Sequence, residues 1–106
     1  MRKLRTIVAT ALSVTLLTAA PVLATNHNVA IQGMKFRPAN ITVAAGDTIT
    51  FTNNDSAPHT ATAGDGSFDT GRLGKGESAR VTIRDAGSTD YICRLHPMMK
   101  GKVTAR

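Results

Sequence analysis

Tryptophan is missing from this chain of 106 residues, and only one cysteine, Cys93, is present. A lone thiol excludes any disulfide within the molecule, so the fold must hold by its core alone. Aromatic residues are few, with one Tyr and three Phe. There is no base-stacking surface and no glycine-rich phosphate loop, which argues against nucleic acid as a partner. No stretch carries a helical stripe of apolar residues, and no internal repeat or low-complexity tract occurs.

The chain opens with Arg2, Lys3 and Arg5, followed by an uncharged apolar run from Ile7 to Leu17 and then "TAAPVLA". A basic start, a short apolar stretch and small residues at Val22 and Ala24 describe a secretory signal peptide. The run is short for a membrane-spanning helix, which needs about 20 residues. Cleavage is expected between Ala24 and Thr25. Residues 1–24 are then a leader, and residues 25–106 form one small domain in the periplasm with no stable membrane insertion. The leader holds three basic and no acidic residues, so the formal charge of +6 falls to +3 on cleavage. Small exported domains commonly use disulfides as staples. The single exported thiol here is a dimerising group, an inert buried one, or a metal ligand.

The mature chain alternates with a period of two. Val29 and Ile31, Ile41 and Val43, Ile49 and Phe51, and Ala79, Val81 and Ile83 each line one side of a segment. Threonines 48, 50 and 52 and arginines 80 and 84 take the opposite side. "STDYIC" and "GKVTAR" read as two further strands. Gly, Asp and Asn clusters separate the segments, with a turn at Gly46-Asp47. Short strands at regular spacing predict an all-β, antiparallel Greek-key sandwich. "MKFRPAN" is expected to be an irregular link, with Pro38 at an edge or bend. Phe68 and Leu73 are expected to pin the glycine-rich stretch 62–78 to the core.

The stretch "YICRLHPMMKGKV" carries the chemistry. Cys93 ends a strand, and His96 and Met99 follow at equal intervals. Thiolate, imidazole and thioether together form a soft ligand set that suits copper rather than magnesium or calcium. A second imidazole must come from elsewhere. His59 in "NNDSAPHTAT" is the better candidate. His27 lies near the mature N-terminus and is expected to be solvent-exposed and without a role. Two histidines, a cysteine and a weak axial methionine are the ligand set of a blue-copper electron-transfer site. Met98 competes with Met99 for the axial position, and loop length favours Met99.

"PH" followed roughly thirty residues later by "YICRLHPMMKGKV" resembles the cupredoxins, in particular their short-loop, amicyanin-like branch. "MKF", "AGDTITFTNND", "APHTAT" and "SFDTGRLGKGES" resemble further family segments. The resemblance implies a single type 1 copper ion held by His59, Cys93, His96 and Met99. It implies that Asn53 hydrogen-bonds the cysteine loop and ties the two ligand segments together. One departure concerns Leu95, where the short-loop branch usually has proline. Leu95 keeps a backbone N–H, which is expected to reach the Cys93 sulfur and raise the reduction potential.

The implied role is that of a monomeric electron shuttle, not an enzyme, which docks protein redox partners near His96. Ala57, Pro58, Leu95, Pro97, Met98 and Met34 are expected to form a small apolar surface around the His96 ring, suited to brief complexes. Lys35, Arg37, Arg94 and Lys100 would rim it with positive charge. Three other readings stand beside this one. They are a copper-binding or delivery protein that uses the methionines, an accessory factor of a copper oxidoreductase, and a metal-free adhesion domain.

Overall fold

A computed structural model describes residues 23–106. The expected leader, residues 1–24, lies outside the described residues except for its last two positions. Among the described residues there are eight strands: β1 (Asn26–Ile31), β2 (Phe36–Arg37), β3 (Asn40–Val43), β4 (Thr48–Asn53), β5 (Thr62–Ala63), β6 (Ser78–Thr82), β7 (Gly87–Ile92) and β8 (Lys100–Ala105). They form two four-stranded sheets, ordered β2-β1-β4-β6 and β3-β8-β7-β5. Among the described residues, no helix is long and apolar enough to cross a membrane.

The all-β sandwich read from the alternation is present. The sheets are mixed, however, because β1 pairs with β4 and β3 with β8 in parallel. Alternation fixes which face is buried but carries no information on strand direction. The expected irregular link "MKFRPAN" contains β2, whose Phe36 pairs antiparallel with Ile31. Phe36 is buried there, so a two-residue strand anchors the start of the link.

β4 shows how the pattern works. Ile49, Phe51 and Asn53 point inward, while Thr48, Thr50 and Thr52 face outward. The outward threonines satisfy their hydroxyls across the sheet surface, with Thr48 Oγ1 donating to Asn26 Oδ1 at 2.7 Å and Thr52 Oγ1 meeting Ser78 Oγ at 2.7 Å. Ile49 and Phe51 join Val29, Ile31, Val81, Ile83, Tyr91 and Val103 in one core. Each such side chain contributes about 1.5–3 kcal/mol when fully buried.

Every aromatic ring of the chain sits in this core. Tyr91 is edge-on to Phe36 at 4.6 Å and to Phe51 at 5.5 Å, and Phe68 stacks on Phe51 at 6.1 Å between centroids. Phe68 and Leu73 are both buried, so the stretch between β5 and β6 is pinned as expected. Tyr91 lies opposite Gly101 on the neighbouring strand, and its ring fills the space a β-carbon at position 101 would need. The glycine is there because the ring is.

His27 is not the idle, exposed residue expected from its position. Its Nε2 lies 2.9 Å from Asp47 Oδ2. Asp47 also accepts the backbone N–H of Thr25 and of Ala44, both at 2.9 Å. The carboxylate ties the start of β1 to the β3–β4 turn. The His27 hydrogen bond and then the two backbone N–H groups lower its pKa from 3.8 to about 2.

Candidate metal centre

Two loops at one end of the sandwich supply the site. The first follows β4. Asn53 is wholly buried, and its Nδ2 donates to the carbonyls of Ala57 and Leu73, both at 2.9 Å. Its Oδ1 accepts the Asp55 N–H at 2.9 Å. The side chain thus shapes the 53–57 turn from inside. His59 then bridges to Leu73, donating N–H to O at 3.0 Å and accepting the Leu73 N–H at 2.7 Å. Its backbone is held on both sides before its ring is considered.

The second loop leaves β7 at Cys93 and returns at β8. Cys93 O accepts the His96 N–H at 3.2 Å, and His96 O accepts the Met99 N–H at 2.9 Å. The Cys93 N–H then closes the loop on Met99 O at 3.1 Å. Two successive turns with i to i+3 bonds therefore account for the three-residue spacing of the ligand types. Pro97 occupies the second position of the second turn, where its fixed φ is favoured. Cys93 and Met99 are buried and His96 is half-buried, while Met98 is 92% exposed. Of the two methionines, Met99 is the one that faces inward.

The loops meet at the Cys93 sulfur. His59 Nδ1 and His96 Nδ1 each lie 3.7 Å from Sγ. Ligand atoms of His59, Cys93 and His96 all fall within 4.8 Å of one another. The two imidazoles are tilted edge to face, with centroids 5.0 Å apart. His59 Nε2 is engaged by Asp55 Oδ2 at 3.0 Å, which leaves Nδ1 as the nitrogen turned to the sulfur. Asp55 is itself fixed, accepting the backbone N–H of Gly33 and of Met34 at 2.9 Å each. The Met34 and Gly33 N–H groups, and then the His59 ring, hold the Asp55 carboxyl below its usual range. Soft and borderline donors converge on one point, with the outer nitrogen of the buried imidazole held by a carboxylate. That is the donor chemistry of a copper site.

The structure corrects two expectations for the surrounding residues. Asn53 does not bond the cysteine loop, because its amide is spent on Ala57 and Leu73. Thr60 does the tying instead. Its N–H donates to Cys93 Sγ at 3.3 Å, and its Oγ1 accepts the Arg94 N–H at 2.8 Å. Nor does Leu95 reach the sulfur: among the described residues, the backbone N–H on Sγ is that of Thr60. The 93–96 turn commits the Cys93 carbonyl to His96 and leaves Leu95 exposed at its corner.

Thr60 and Asp55 escaped the sequence reading. Asp55 stands four residues before His59 in a turn-forming cluster, which is a usable signal. Thr60 follows His59 directly but has no motif of its own. Arg94, expected on a free basic rim, lies 3.3 Å from Asp69 Oδ2.

The chain matches the family described as "Copper binding proteins, plastocyanin/azurin family" over residues 23–106. It is 34% identical over 80 residues to amicyanin of Paracoccus versutus, an alignment covering 71% of this chain and 61% of the relative. Against plastocyanin A/B of Petroselinum crispum, identity is 34% over 85 residues, covering 68% and 88% of the two chains. The alignments span 61% and 60% of the two Paracoccus amicyanins, so a substantial part of each lies outside them. Among solved structures, that of Paracoccus versutus amicyanin matches with a TM-score of 0.67 at 32% identity, covering 83% of this chain and 86% of that one. A copper-containing nitrite reductase from Thermus scotoductus matches at TM-score 0.69 and 31% identity over 79% of this chain, but over only 22% of the larger protein.

Proposed function

The chain belongs to the plastocyanin/azurin family of copper-binding proteins, and we propose that it is a small electron carrier built around one type 1 copper ion. His59 Nδ1, Cys93 Sγ and His96 Nδ1 would hold the ion, with the buried Met99 thioether as a fourth, weaker donor. The observation that carries this reading is the convergence of the three strong donors within 4.8 Å. When bound, copper supplies a one-electron Cu(I)/Cu(II) couple with a strongly covalent thiolate bond.

The residues of the chain supply rigidity. His59 is locked by Asp55 on its outer nitrogen and by Leu73 on its backbone. Cys93, His96 and Met99 are locked by the two turns and the closing Cys93–Met99 bond. The Thr60 N–H withdraws charge from the sulfur. A donor set that cannot relax gives little reorganisation between oxidation states.

His96 is the half-buried imidazole of the pair, while His59 is fully buried, so His96 is the natural route for electrons. Leu95, Pro97, Met98 and Met34 are exposed on the loops that carry or support the ligands. They offer an apolar docking surface of the small, transient kind. Export to the periplasm, with a leader over residues 1–24, is part of the same proposal. Turnover of a substrate is not.

Adding Cu(II) to the purified domain should produce an intense visible charge-transfer band, and Cys93→Ser should abolish it without unfolding the protein. A parent protein that binds Cu(II) with no such band would refute the assignment.

A further inference from the structure

The domain contains three methionines, Met34, Met98 and Met99, and all three line one surface depression of about 310 Å³. Met99 is buried and belongs to the copper centre proposed above. The other two are not used by it. Met98 is 92% exposed and Met34 is 43% exposed, on two different loops that face the same hollow.

Neither placement is explained by packing. An apolar side chain as exposed as Met98 contributes nothing to the core. Met34 stands at φ 59°, in the left-handed region that glycine or asparagine occupies at lower cost. Its backbone is held there by the Asp55 carboxylate, which accepts the N–H groups of Gly33 and Met34. Non-glycine residues held in this region cluster at ligand-binding and active sites. The same turn that gives Asp55 these two N–H groups also places the Met34 thioether at the rim of the depression.

We propose that Met34 and Met98 form a second, thioether-built site that takes up Cu(I), at the mouth of the hollow whose inner wall is Met99. This goes beyond the electron-carrier reading and rests on it only for the first equivalent of copper, which fills the centre built on Cys93. Thioethers select Cu(I) over harder cations, and two of them on flexible side chains suit its low coordination demand. Lys35 and Lys100 also line the depression. Their ammonium groups repel a cation, but Cu(I) carries a single charge and both side chains are exposed, where water and salt screen the repulsion. The same charges disfavour divalent ions more strongly. The result is a weak, exchangeable site selective for a soft monovalent metal.

The test is an anaerobic titration of the reduced, copper-loaded protein with further Cu(I) presented by a competing chelator. The proposal expects a second equivalent to bind, with the methyl NMR signals of Met34 and Met98 shifting together. It expects the second equivalent to vanish in the Met34→Leu/Met98→Leu variant. Leucine preserves the apolar surface, so a purely protein-docking role would leave the titration unchanged. Unmoved Met34 and Met98 methyls in the parent, or a second equivalent that persists in the double variant, overturns the site. The visible band of both proteins on oxidation is a separate readout. Its absence would count against the electron-carrier reading alone.

Discussion

His59 presents its Nε2 to the Asp55 carboxylate at 3.0 Å and its Nδ1 to the Cys93 sulfur at 3.7 Å. One ring thus joins a fixed anion to the metal-binding atoms. Removing the anion frees the ring to rotate and to change tautomer. Asp55→Ala is expected to weaken copper binding 10- to 100-fold, as loss of a partner behind a histidine ligand typically does. Competition against a chelator of known affinity measures it. An affinity equal to the parent's would show that the Leu73 backbone bridge alone positions His59.

Thr60 lends its N–H to the sulfur and its hydroxyl to the Arg94 N–H. Thr60→Ala keeps the first bond and deletes the second, which leaves a backbone donor without its partner at a part-buried position. The expected loss is about 1–3 kcal/mol of unfolding free energy. Thr60→Ser should recover most of it. Urea unfolding of the metal-free proteins distinguishes the two.

Gly101 can be tested from both sides of its contact. Gly101→Ala drives a methyl into the Tyr91 ring, where the rest of the core cannot give way. The expected cost is about 1–3 kcal/mol or more. Tyr91 Oη is buried with no hydrogen-bond partner among the described residues, and burial pushes the phenol pKa up. Tyr91→Phe should therefore be neutral or stabilising in the same assay.

Asp47 gives the domain an acid limit. Its carboxyl falls from an ordinary 3.8 to about 2 on folding, through His27 and the Thr25 and Ala44 N–H groups. A lowered folded-state pKa gives stability that is complete above pH 3.8 and is lost as the pH falls toward 2. Asp47→Asn removes that contribution. The unfolding midpoints of parent and variant should differ most at neutral pH and converge near pH 2. A gap that stays constant across this range would show that Asp47 acts through packing alone.

Much of this arrangement is legible in the residues. The alternating positions of β1, β3, β4, β6, β7 and β8 identify their buried faces, because one side of each must enter the core. The Cys93-His96-Met99 spacing anticipates the ligand loop, because a turn closes every three residues. β2 and β5 have two residues each and are too short to show a period. The parallel pairings join segments far apart in sequence and leave no local trace. The partners of Asn53 are not legible, because a turn asparagine can reach several, and which one it takes depends on where Ala57 and Leu73 lie. Thr60 leaves no sequence signal for the opposite reason. Its neighbour in space, Arg94, is 34 positions away, so nothing next to it in the chain hints at the bond.

The clustering of all four aromatic rings has a practical outcome for spectroscopy. With no tryptophan and a single tyrosine, ultraviolet emission comes from one place, a ring two residues before the thiol. Unfolding and metal uptake can both be followed at that position without adding a label. Protein concentration taken from absorbance at the usual wavelength will rest on that one phenol, and a backbone-based assay is the sounder standard.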